Sequence, residues 1–212
     1  MKYLLYQELL IQNKIYNLSK YIILYFAFCI SCIALVNSHD DIDKFGAIFS
    51  LISIPLSFIG LSNNLIKDDI DDGTLEYLLT SISPLEIVLA KFIIMSAVTS
   101  FSFILITPLL YIVFNLEFLN IIVLLASGLI LILLCSGLVM LIASVQGYFR
   151  SNTNFFAILI MPLILPNVIL SGIILENPQE LYILPIMIGI NLVILPPSIY
   201  LSSYLIHNIY NI

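Results

Sequence analysis

Six stretches of this chain contain no Asp, Glu, Lys or Arg: Tyr21–Val36, Phe45–Ile66, Phe92–Phe114, Phe118–Ser144, Phe155–Leu175 and Leu181–Ile206. A helix of about 20 apolar residues crosses the hydrocarbon core of a bilayer. At that depth every backbone N–H and C=O must be paired within the protein, which leaves helices or closed barrels. Barrel strands alternate polar and apolar residues with period two, and these runs do not. The reading is an all-α polytopic membrane protein with six transmembrane helices. The first run is short, and either borrows length from Ile15–Leu18 or tilts little. A soluble globular domain is about 25% charged. With 9% charged residues and a mean hydropathy of +1.14, this chain is excluded from that class.

The basic residues orient the spans. With the N-terminus inside, Lys2, Lys14, Lys20, Lys67, Lys91 and Arg150 are cytoplasmic and Lys44 alone is outside, a clear positive-inside bias. The C-terminus is then cytoplasmic too. The outer loops, 37–44, 115–117 and 176–180, are too short for an extracellular domain, so residues 1–212 read as one membrane domain. Residues 1–20 interleave Tyr3, Leu4, Leu5, Leu9, Leu10 and Ile15 with polar positions. They fit an N-terminal helix lying on the cytoplasmic interface better than a cleaved leader. The net charge of −6 comes with no basic patch, which argues against nucleic-acid partners. Cys29, Cys32 and Cys135 all fall within spans, where Cys29 and Cys32 read as small apolar residues on one helix face.

The exception to this apolar character is residues 67–91, a cytoplasmic segment holding eight of the twenty charges. Ser83-Pro84-Leu85-Glu86 is a helix-start signature: Ser83 caps, Pro84 suits the first turn and Glu86 can complete a capping box. That helix runs through Lys91 into the third span. Upstream, Asp71 and Asp72 place negative charge at the start of a short helix, where the dipole favours it, and Gly73 allows the chain to turn. Leu75, Leu78, Leu79 and Ile82 then fall on one face. Between the two helices lies a break at Thr80-Ser81-Ile82-Ser83. The spacing therefore predicts a cytoplasmic elbow between spans two and three. Its apolar face either rests on the membrane or fills a groove on a cytoplasmic partner. No phosphate-binding G-x-x-x-x-G-K-[ST] occurs, so any ATPase belongs to another chain.

Pro55, Pro108, Pro162, Pro166, Pro185, Pro196 and Pro197 lie in spans and predict kinks. Ser127, Gly128, Ser136, Gly137, Ala143 and Ser144 in the fourth span permit close helix contact, and their faces are candidates for a homodimer interface.

Asp72-Gly73-Thr74-Leu75-Glu76-Tyr77-Leu78-Leu79, followed by Ser83-Pro84-Leu85-Glu86 and Ala90-Lys91, resembles the coupling region of type-2 ABC exporter permeases. The chain length, Thr107-Pro108-Leu109-Leu110 and Met161-Pro162-Leu163-Ile164-Leu165-Pro166 extend the resemblance over most of the chain. They narrow it to cytochrome c maturation protein B, the heme exporter B family. The resemblance implies an inner-membrane ABC permease subunit, not itself an enzyme, serving heme export and c-type cytochrome biogenesis. It implies a separate cytoplasmic ATPase that uses the ATP, further cytochrome-maturation subunits, and a homodimer of permeases. It assigns ATPase coupling to Asp72, Gly73, Thr74, Leu75, Glu76, Leu78, Leu79, Ser83, Pro84 and Glu86. The ATP would drive either heme delivery or release of a heme-loaded chaperone.

The chain has no Trp, and its only His residues are His39, in the first outer loop, and His207, near the C-terminus. Each reads as a solvated residue rather than an axial heme ligand, so no cofactor or metal is assigned to this chain. Export of a lipid, drug or other amphiphile, and a non-transporting scaffold, are the competing readings. An intramembrane enzyme is disfavoured because the spans hold no carboxylate or amine at depth.

Overall fold

The computed structural model describes residues 42–59, 65–114, 116–149 and 155–209. The predicted interfacial helix, the first span, Cys29, Cys32 and His39 lie outside these. All regular structure among the described residues is helical: α1 (Ile42–Ile59), α2 (Lys67–Asp71), α3 (Thr74–Ser81), α4 (Pro84–Phe114), α5 (Phe118–Phe149), α6 (Phe155–Glu176) and α7 (Ile183–Asn208). Helices α4, α5 and α7 are each long and apolar enough to cross a membrane. At 1.5 Å per residue α4 is about 46 Å long, so it outruns a hydrocarbon core of roughly 30 Å.

The helices extend past the uncharged runs. α1 begins at Ile42, three residues before Phe45, and α5 continues from Ser144 to Phe149. Absence of charge marks where hydrocarbon can lie, whereas helix ends are set by backbone hydrogen bonding, so the two need not coincide.

Helix α5 is central and packs against α1, α2, α4, α6 and α7, most extensively against α7. The small residues read from the fourth span explain this. Gly128 lies under Phe103 of α4 and Leu51 of α1, and Gly137 faces Leu195 and Ser198 of α7. Ser127, Ser136, Ala143 and Ser144 are buried as well. This corrects one expectation: the small-residue face is consumed inside the subunit and is not free to form a homodimer interface.

Hydroxyl side chains in the bundle bond to carbonyls of their own helices. Ser127 donates to the Val123 carbonyl (2.8 Å), Ser144 to Met140 (2.8 Å) and Ser202 to Ser198 (2.7 Å), the back-bonding that lets hydroxyls sit in an apolar helix. Two asparagines do more. Asn167 Nδ2 donates to Asn191 Oδ1 (2.7 Å), and Asn191 Nδ2 donates to the Ile130 carbonyl (2.7 Å), tying α6, α7 and α5 together. Neither asparagine was singled out by the sequence, where each is one polar residue in a long apolar run.

Six prolines sit inside helices: Pro55, Pro108, Pro162, Pro166, Pro196 and Pro197. Pro185 lies in the first turn of α7, where a missing N–H has no intrahelical partner to lose, so it is no source of a kink. The outward surfaces are as apolar as the core. Ile112 of α4 and Leu192 and Val193 of α7 are 76%, 69% and 73% exposed. Water would penalise such a surface, whereas lipid accommodates it.

Gly128→Ala should destabilise the bundle by about 1–3 kcal/mol, because its Cβ would enter the fully buried Phe103 ring. Gly189→Ala, with open space around the site, should be neutral or slightly stabilising through helix propensity. Thermal unfolding of the two variants in detergent checks this contrast.

Candidate coupling surface

The polar segment folds as two short helices set across one end of the bundle. Leu65 and Ile66 are buried just before α2. Asp68 and Asp69 occupy the first turn of α2, where the helix dipole favours them. The Asp72 N–H donates to the Asp68 carbonyl (2.9 Å) and the Gly73 N–H to Ile70 (3.2 Å), closing α2. Asp71 therefore ends one helix rather than starting the next, and the acidic cluster straddles the turn between them. The turn needs Gly73, whose φ of +73° is left-handed and unfavourable for a residue with a Cβ. The Thr74 hydroxyl donates back to the Asp69 carbonyl (3.2 Å), clasping the two helices.

Helix α3 is amphipathic as its spacing predicts, but the direction of its apolar face is decided by packing. Leu75 is fully buried, and Leu78, Leu79 and Ile82 are half-buried against the same core. Leu75 is thus withdrawn into the chain's own core, which corrects the expectation that it fills a groove on a partner. The outward face carries Glu76 and Tyr77, with Tyr77 74% exposed. Tyr77 was not among the residues assigned to coupling; its signal in the sequence was a large aromatic on the polar side of the α3 wheel.

α3 runs to Ser81, so the break is shorter than Thr80–Ser83. Ile82 is extended (φ −136°, ψ 145°), and α4 starts at Pro84 as the signature predicts. The Glu86 N–H donates to Ser83 Oγ (3.4 Å) and to the Ser83 carbonyl (3.0 Å). The serine half of the capping box is present, while Glu86 itself is exposed. Asp71, Asp72, Gly73 and Thr74 are exposed too, so the outer face of this end is acidic.

One ion pair fastens the segment to the bundle. Lys91 Nζ lies 2.7 Å from Asp69 Oδ2, with the side chains 4% and 14% exposed. Lys91 sits about two turns into α4, among apolar residues. Sequence reasoning placed both charges in the segment without pairing them, because 22 positions separate them and no helical spacing relates them.

Elsewhere, Cys135 is buried in α5 and His207 is exposed in the last turn of α7. No group of three or more His, Cys, Asp or Glu among the described residues could hold a metal ion. The end of the bundle bearing α2 and α3 presents an acidic, aromatic-tipped surface on a firmly seated support.

Comparison with known proteins gives a consistent result. The family model described as CcmB protein matches residues 16–196. An uncharacterised protein of Rickettsia conorii is 46% identical over 209 residues, covering 99% of this chain and 97% of the relative. One from Rickettsia prowazekii is 44% identical over 209 residues with the same coverage.

Leu75→Ala should cost about 2–5 kcal/mol, as for other fully buried leucines, and loosen α3 from the bundle. Tyr77→Ala should leave folding stability unchanged. Limited proteolysis between residues 72 and 83, faster for Leu75→Ala and unaltered for Tyr77→Ala, checks which face of α3 is the anchor.

Proposed function

The chain belongs to the CcmB family, and from that premise we propose that it couples ATP hydrolysis in a separate cytoplasmic ATPase to heme export through the α2–α3 segment. Family membership makes it a membrane transport subunit acting in heme export and c-type cytochrome biogenesis. The finer reading adds six spans, cytoplasmic termini and an inner-membrane location, with two copies of this permease meeting two ATPases. The same residues support a cycle in which ATP binding and hydrolysis displace α2–α3, and the spans continuous with it change their tilt. Either heme delivery or release of a heme-loaded chaperone would result from that change.

The observation that carries this reading is the two-sidedness of α3. Its inner face is locked in the bundle at Leu75, while its outer face offers Glu76 and the most exposed large hydrophobic side chain of the segment, Tyr77. An element tied to the membrane helices on one side and open on the other can transmit a push. A loop merely resting on lipid would turn its leucines to the bilayer and need no buried anchor. The acidic exposed set, Asp71, Asp72, Glu76 and Glu86, favours a basic docking surface on the partner.

In this reading the coupling residues divide by task. Gly73 makes the turn, and Ser83 and Pro84 start α4. Thr74, Leu75, Leu78 and Leu79 seat α3, whereas Asp72, Glu76 and Glu86 meet the ATPase.

The test is affinity purification of the tagged chain from detergent-solubilised membranes, with mass spectrometry of the proteins retained. The wild type should bring down a small ABC ATPase and cytochrome-maturation subunits. The double variant Glu76→Lys/Tyr77→Asp should insert normally yet lose the ATPase or its coupling. Full retention with unchanged coupling in that variant, or no ATPase with the wild type, overturns the reading.

A further inference from the structure

We propose that the Asp69–Lys91 ion pair is a positioning strut that makes α2 move as one body with the start of α4. The inference rests on the coupling role of the α2–α3 segment and assigns the residues that carry motion out of it. α2 is only five residues long and cannot transmit force by its own stiffness, so its attachments decide which helices move with it.

Two of these lead to different membrane helices. On one side Ile66 and Ile70 pack at Gly147 near the end of α5, where a Cβ would leave Ile70 only 2.9 Å away. On the other, Asp69 reaches Lys91 at 2.7 Å. The first contact is apolar and can slide; the second brings opposite charges together in a site nearly closed to water, where their attraction is little screened. The Thr74 hydroxyl on the Asp69 carbonyl brings α3 to the same residue. Asp69 therefore joins α3, α2 and α4 at one point.

Stability is a poor explanation for the pair. A buried ion pair returns little net free energy over well-packed apolar side chains of similar size, whereas removing one partner strands a charge. The stranded charge lies deeper for Lys91 than for Asp69, whose carboxylate keeps some contact with water. What an ion pair adds over two apolar side chains is an attraction specific to these two partners.

The test uses the full complex with its ATPase and compares Lys91→Met, Asp69→Leu, the double variant Asp69→Leu/Lys91→Met and the conservative Lys91→Arg. Three quantities are read: complex recovered, ATP hydrolysed per complex, and holo-cytochrome c formed. Asp69→Leu should lower recovery more than Lys91→Met, because it strands the deeper charge. The double variant should recover as wild type and hydrolyse ATP, yet form between about twofold and thirtyfold less holo-cytochrome per ATP, the range spanned by mutations along coupling elements. Lys91→Arg should keep most of the yield. A double variant with wild-type recovery and wild-type yield per ATP overturns the strut and leaves the coupling reading standing. Absence of an ATPase from the wild-type preparation is instead the failure of the coupling reading itself. If the double variant too is lost from the membrane, the pair is structural and the strut is overturned.

Discussion

The close approach of α5 to its neighbours is the condition on which the rest of the bundle depends. Apolar helices surrounded by lipid gain nothing from hiding apolar surface, since the solvent is as oily as they are. They must be held by contact area and by the few polar bonds they can make. Gly128 and Gly137 remove side chains where α1, α4 and α7 come nearest, and Phe103, Leu51 and Leu195 fill the space. The Asn167–Asn191–Ile130 chain then fixes α6 and α7 on the same helix at a depth where few other donors exist. With α5 so placed, Gly147 at its far end becomes the seat for Ile66 and Ile70. The polar segment is positioned by the same device that packs the membrane helices.

Much of this was legible in the sequence, and the parts that were not share a cause. Charge-free runs located the helices, and Ser83-Pro84-Leu85-Glu86 located the start of α4 to the residue, because both signals are local. The apolar face of α3 was also local, but which surface would cover it was not. Leu75 could have faced a partner, a membrane or its own bundle, and only the position of the core chose the last. The small residues of α5 announced close packing without naming the neighbour, so a dimer interface and an internal contact looked alike. Asn167 with Asn191, and Asp69 with Lys91, are pairs separated by 24 and 22 positions. Nothing in one strand of sequence signals such a meeting.

Charge is scarce in this chain, and where it is placed separates the two surfaces of the α2–α3 segment. Outside, Asp71, Asp72, Glu76 and Glu86 are exposed, and charges so placed can orient a complementary surface at little cost in folding. Inside, Lys91 in the apolar start of α4 meets the carboxylate of Asp69. A chain adapted only for stability would have filled that place with leucine. An ionic contact there links a surface helix to a membrane helix. That arrangement adds an ionic contact to the apolar seats of Leu75, Ile66 and Ile70, and so ties a surface of exposed charge to a bundle made of hydrocarbon.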